Sequence, residues 1–340
     1  MKQLLIHIGY PKTATTTFQE ELFVKLHNLK RINYLGRTTK SSHTRYGKSN
    51  FNSVDWVWHI RKHLLIGEDL KYDNSIIQEN ILNVISDEDL CFHDFFHFAQ
   101  FGKLINHNDF ANQLKDIIGL DVKVNIMVTL RNQSDLIFSS FTQKYRFIKQ
   151  TIGNYTFSNF LDNQYNYLNR KPIDHLAIYD FNKHIESWET VFDIKAKILF
   201  FEDFIHDKNS FYSQLAELLP ATALEIENYF GSIHYRKREK SKELIEISYN
   251  ELSNFGKILS HLYKKNNLER ILEQRFYMRS NVLLNMEKRV WYKKKKTYLP
   301  FMTKREKEKI ELMFSNSNKL FAQKREISIE KMLVYKFVRN

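Results

Sequence analysis

The sequence predicts an α/β fold in which helices flank a mostly parallel central sheet. Three apolar runs carry the prediction: QLLIHIG at 3–9, VNIMVTL at 124–130 and KAKILFF at 195–201. Each is short enough for a buried strand and ends at a turn or a polar break. Helical patterns separate them, and strands alternating with helices imply a sheet covered on both faces.

The first run breaks at Gly9-Tyr10-Pro11, and Pro11 keeps the residue before it out of helical geometry. After Thr15–Thr17, the stripe Phe18, Leu22, Leu26 marks a helix whose first turn carries Glu20 and Glu21. Residues 28–75 are polar around a Trp56–Trp58 patch and fit no single element, although INYLGR points to a turn at Gly36. The stretch 76–87 reads as helical and changes character at ISDEDLCF. A helix over 109–118 ends near Gly119, and another follows the 124–130 strand, carrying Leu136, Ile137, Phe141 and Tyr145. Short helices are expected near 183–192 and over 211–219, the latter before Pro220. From 241 onward the pattern turns mainly helical and increasingly basic. The expected organisation is therefore an α/β core over 1–240 and a largely helical basic extension over 241–340, packed with it as one structural unit.

With 340 residues, 43% of them hydrophobic, the chain can bury a sizeable core. Its 27 Phe and 18 Tyr argue against wholesale disorder. The formal charge of +13 favours polyanionic partners: a nucleotide, an acidic glycan, nucleic acid or an anionic membrane surface. Cys91 is the only cysteine, so an intramolecular disulfide and a cysteine-rich zinc site are both excluded. The apolar run of MKQLLIHIGYPK reaches Pro11 and Lys12 too soon for a signal-peptide core or a membrane span. A cytoplasmic location is the expectation, with peripheral contact at the inner face of a membrane as its extension.

The segment HIGYPKTATTTFQ at 7–19 carries the chemistry. A loop between a strand and a helix start presents backbone N–H groups without intrahelical partners, which is an anion site. Gly9 permits a tight turn, the small residues Thr13 to Thr16 let phosphate oxygens approach, and Lys12 adds a cation. Against the nucleotide-binding pattern G-x-x-x-x-G-K-[ST], Gly9 matches the first Gly, but Ala14 and Thr15 replace the second Gly and the Lys. The cation sits in the first half of the loop, which argues against an ordinary kinase or ATPase.

Pro11-Lys12-Thr13-Ala14-Thr15-Thr16-Thr17-Phe18 resembles the phosphosulfate loop of the sulfotransferase superfamily, P-K-x-G-T-T-x-L, with Ala14 and Phe18 as departures. A second segment, VTLRNQSDLIFSSF at 128–141, is similar to the same family's 3'-phosphate motif. Arg131 is followed eight residues later by Ser139, and Gln133 stands where the family has Pro. Arg suits that role because its planar fork gives bidentate hydrogen bonds to phosphate. A fainter likeness, at FSNSNKLFA (314–322), is to the tail of bacterial polysaccharide-type members.

The resemblance implies a P-loop-like three-layer fold and the cofactor 3'-phosphoadenosine-5'-phosphosulfate (PAPS), with the product PAP. It implies that Lys12 contacts the phosphosulfate bridge while Thr15–Thr17 and the helix start hold the 5'-phosphate. For the base it points to Glu88, in a segment like the S-x-E of bacterial relatives, with His93 and His97 as fallbacks; His7 is read as structural. Arg236, Lys237 and Arg238 are candidates for a late basic loop over the 3'-phosphate, and Trp56, Trp58 and His59 for an acceptor groove. No metal is expected: His93 and His97 have helical spacing but lack the H-E-x-x-H glutamate. The expected acceptor is a carbohydrate or glycolipid hydroxyl. The alternatives are a P-loop small-molecule kinase and a basic protein binding nucleic acid or a membrane surface, the former calling for a magnesium carboxylate that Glu202-Asp203 offers only weakly. No nucleic-acid-binding signature accompanies the Lys293–Lys296 run, so nucleic acid is not the expected partner. The sequence leaves the oligomeric state open.

Overall fold

The structure is a computed structural model that describes residues 1–10, 12–36, 53–70, 75–91, 105–152, 156–162, 176–230, 244–252 and 292–339. Two compact units emerge: one of Met1–Ile137, Phe160–Arg236 and Lys304–Asn340, the other of Phe138–Asn159 and Lys237–Thr303.

The first unit is built on five parallel strands: β1 (Lys2–Gly9), β2 (Ile32–Tyr34), β3 (Leu82–Ser86), β4 (Val122–Leu130) and β5 (Lys197–Phe200). Their order is β2-β3-β1-β4-β5, so β1 is central, in register with β3 from Gln3↔Leu82 and with β4 from Lys2↔Val122 to Gly9↔Thr129. Strand residues alternate between faces. Leu5 and His7 meet the side covered by the helical run after β1, which comprises α1 (Thr15–Thr17), a π-helical turn (Phe18–Phe23) and α2 (Val24–Asn28). On that face Phe18, Leu22, Phe23 and Leu26 are the buried stripe the sequence shows, packed with the later helices α9 (Lys208–Ala216) and α10 (Ala223–Phe230). The other face takes Tyr10 and the pair α4 (His107–Ile118) and α7 (Phe181–Phe192), where Phe110 packs on Trp188 and Trp188 stacks on Phe192.

The stretch 76–87 corrects a sequence expectation: it holds strand β3, not a helix. Val84 and Ile85 are β-branched and fit a pleated sheet. The deciding residue is Asn83, which is fully buried. Its Oδ1 accepts from Gln78 N–H and Asn33 Nδ2, and its Nδ2 donates to the carbonyls of Gln3 and Gln78, stitching β1, β2 and the preceding turn. Within 53–75, a helix α3 (Ser53–Ile66) forms and buries Trp56, Val57 and Ile60.

Helix α5 (Gln133–Ile152) begins in the first unit directly after β4, as expected. Short elements complete that unit: a helix α6 (Phe157–Leu161) ends in it, and α8 (Phe201–His206) leads from β5 into α9. The C-terminal region is helical over α11 (Lys304–Lys324) and α12 (Ile329–Val334), both within the first unit. The second unit includes an antiparallel ribbon, β6 (Leu244–Leu252) with β7 (Tyr292–Pro300). Among the described residues, no helix is long and apolar enough to cross a membrane.

Candidate functional site

The site lies at the carboxyl edge of the sheet between β1 and β4. The chain leaves β1 for β2 on one side and leaves β4 for β5 on the other. Open α/β sheets bind ligands at such a topological switch point, where the loops at the strand ends diverge.

The loop after β1 is wound around one carbonyl. Tyr10 O accepts from Thr13 N–H at 3.2 Å, Thr13 Oγ1 at 2.6 Å and Thr15 Oγ1 at 3.2 Å. Thr13 and Thr15 are buried, and their hydroxyls serve the loop. Thr16 is exposed and Thr17 half-buried at the helix mouth. Ala14, the N-cap, makes no side-chain cap hydrogen bond, and the first helical bond runs from Phe18 N–H to Ala14 O. The N–H groups at the start of such a helix have no partner within it. Lys12 and Ala14 both adopt left-handed backbone, with φ of 72° and 65°. The glycine of the sulfotransferase loop pattern thus stands where the backbone does require positive φ, and Ala14 bears that strain. Gly9 is needed for close approach: a Cβ there would lie 2.4 Å from Thr15 Oγ1.

Beneath the loop, the Tyr10 ring is fully buried against Phe181 and His184. Trp188 Nε1 donates to His184 Nε2 at 3.2 Å, and an indole N–H can only donate. In the neutral imidazole, His184 Nδ1 then carries the proton and donates to Tyr10 Oη at 2.5 Å, which donates onward to Ile178 O at 3.2 Å. Burial drives the Tyr10 hydroxyl well above its usual range, keeping it neutral. His7 has the structural role expected of it, bridging Ser86 Oγ of β3 (2.8 Å) and Thr129 Oγ1 of β4 (3.0 Å). Burial lowers its pKa to about 3.

Arg131 and Asn132 form the corner after β4. The Arg131 guanidinium donates to Lys12 O at 3.2 Å and lies over the Phe201 ring, 5.1 Å from its centroid. The two motifs, far apart in sequence, therefore meet at one edge of the sheet. Asn132 caps α5: its Oδ1 accepts from Ser134 Oγ and Asp135 N–H, and its O from Leu136 N–H. Glu202 Oε1 accepts from Asn132 N–H at 2.9 Å and Asn132 Nδ2 at 3.1 Å, and burial raises the Glu202 pKa.

Behind this corner stands α11. Gln133 Nε2 donates to Asn318 Oδ1 at 2.9 Å and Asn318 Nδ2 donates to Gln133 Oε1 at 3.1 Å, a reciprocal buried amide pair. The residue in place of the family proline is thus joined to the FSNSN segment. Asp203 is buried and fully engaged, with Oδ2 bound by Lys331 Nζ at 2.7 Å and Oδ1 by Tyr335 Oη at 2.5 Å.

Glu88 opens a short 3₁₀ turn, Glu88–Leu90, that follows β3 and packs beside β1, so this half-buried carboxyl occupies the same sheet edge as the loop. Cys91 Sγ donates to Gly9 O at 3.3 Å. Ser139 lies further along α5, half-buried, in the second unit. Pro11, His93, His97, Arg236, Lys237 and Arg238 lie outside the described residues, as does the side chain of Trp58. Sequence reasoning missed the anchoring by Tyr10 and His184 and the pairing of Gln133 with Asn318. It noted Glu202 only as a strand end and a weak metal ligand.

The fold defines an α/β protein of nucleotide-binding-like architecture, with a strand-to-helix loop at its switch point. No protein-family model matches the chain, and no curated protein sequence matches it.

Proposed function

We propose that this chain transfers a sulfonate from PAPS to an acceptor hydroxyl, on a glycan or lipid-linked carbohydrate. The observation that carries the reading is the hydrogen bond from Arg131 to Lys12 O, which joins the two loops that the family uses for the two ends of PAPS. In this reading Arg131 binds the 3'-phosphate, with Ser139 assigned to it by resemblance alone, while the helix mouth at Thr15–Thr17 binds the 5'-phosphate by preorganised N–H and O–H groups. The acceptor oxygen attacks sulfur as the bridging S–O bond breaks, and its proton passes to the base, for which Glu88 is the candidate. The charge left on the departing phosphate of PAP falls to Lys12. Arg236, Lys237 and Arg238 are assigned to the 3'-phosphate by resemblance alone, and His93 is the fallback base on the same ground.

The kinase alternative needs a carboxylate able to take magnesium after a strand. Asp203 is buried between Lys331 and Tyr335, and one oxygen of Glu202 serves Asn132, which weighs against either.

Calorimetric titration with PAP tests the proposal. Wild type is expected to bind, and Arg131→Ala to lose about 1.5–3 kcal/mol, roughly ten- to a hundredfold in affinity. Binding of ATP with magnesium in place of PAP would favour the kinase, and binding of neither would remove the nucleotide reading.

A further inference from the structure

Glu202 is 7% exposed, and one of its carboxylate oxygens, Oε2, is buried without a hydrogen-bond partner among the described residues. A buried acceptor left unpaired costs about 1–3 kcal/mol, and more when charged. What the carboxyl does for its surroundings is done by Oε1. That oxygen takes both the backbone and side-chain N–H groups of Asn132, which fixes the residue directly after Arg131. The preceding residue, Phe201, puts its ring face against the Arg131 guanidinium. One corner, Phe201-Glu202, thus holds the adjacent corner, Arg131-Asn132, at two points. Lys12 O takes one guanidinium N–H, and among the described residues no other acceptor holds the group, whose orientation the Phe201 ring helps to fix.

We infer that Glu202 and Phe201 are positioning residues that aim the Arg131 guanidinium at the 3'-phosphate of the nucleotide. The inference rests on the sulfotransferase reading and names residues that the motif resemblance does not assign. Neither touches the ligand. Each acts through Arg131, directly in the case of Phe201 and by way of Asn132 in that of Glu202.

The test compares PAP with 5'-AMP, which lacks the 3'-phosphate, by calorimetry on wild type, Glu202→Ala, Glu202→Gln and Phe201→Leu. Wild type should prefer PAP. Glu202→Ala should lower that preference at least about tenfold while AMP affinity stays within about threefold of wild type. A merely structural defect would weaken both ligands together. Glu202→Gln keeps a carbonyl oxygen for both Asn132 donors and should restore the preference. Phe201→Leu, which leaves Glu202 intact, should lower the preference in the same direction even where the alanine variant fails to fold. An undiminished preference in both Glu202→Ala and Phe201→Leu, or equal loss of both ligands, overturns the inference and leaves the sulfotransferase reading standing. Wild type that binds PAP no better than AMP sinks that reading and the inference with it.

Discussion

A histidine in the middle of a buried strand makes the fold sensitive to acid. Folded His7 stays neutral down to about pH 3, whereas an unfolded histidine binds its proton below about pH 6.5. Between those values the unfolded chain holds more protons, so stability rises with pH. The contribution is full above the unfolded pKa and is lost as pH falls toward the folded one. His107, lowered by burial to about 4, acts with the same sign. Each should cost up to about 1.4 kcal/mol per pH unit below pH 6.5, measurable by urea melts between pH 7 and 4. His7→Gln should make the slope shallower, and an unchanged slope would show that His7 is not its source. The loop tests a second residue. Ala14→Val forces a β-branched side chain into φ of 65° and should cost about 1–3 kcal/mol in a thermal melt, whereas Ala14→Gly should be neutral or stabilising. The motif marks Ala14 as the position where the pattern has Gly, and the positive φ that explains it is a finding of the structure. The Tyr10–His184 bond was not, because its partners are 174 positions apart and neither residue type announces the other.

Elements meet here through pairs of buried polar groups. Gln133 of α5 and Asn318 of α11 bond each other reciprocally, so replacing either with Ala takes the partner from the other's amide oxygen, at about 1–3 kcal/mol, while its Nδ2 or Nε2 keeps a backbone carbonyl. A double-mutant cycle should show coupling of at least about 0.5 kcal/mol, and additive losses would mean that the two amides act independently. Lys331→Met should also cost about 1–3 kcal/mol, because it takes the cation from Oδ2 of the buried Asp203 carboxylate and leaves Tyr335 on Oδ1. Chemical denaturation measures both. Strands β1, β4 and β5 were readable because each is an apolar run between clear breaks. Strand β3 was not, since a run of its length suits either a buried strand or a helix, and the arbiter is Asn83, whose partners come from β1, β2 and a turn. FSNSN was noticed by likeness, but its engagement with Gln133 depends on how α11 returns to the sheet.

At the scale of the whole molecule, the first unit draws on both ends of the chain. A chain ending at Thr303 would lack Asn318, Arg325, Lys331 and Tyr335, which serve the buried side chains of Gln133, Glu189 and Asp203. Orphaned buried groups cost about 1–3 kcal/mol each, against a typical total stability of about 5–15 kcal/mol. Such a truncation should show no cooperative thermal transition by circular dichroism, and a sharp transition near that of the full chain would contradict this. The α/β class was predictable from the alternation of patterns. The order β2-β3-β1-β4-β5 was not, because periodicity identifies strands without naming their neighbours.

The amide pair behind the β4 corner also has a meaning in time. Gln133 leaves the ribosome long before Asn318 is made. A nascent chain can lay down the central strands early, yet the support behind its Arg131 corner arrives only with a segment 185 positions further along. The corner that presents Arg131 should therefore reach its final packing only after α11 has been made and has returned to it.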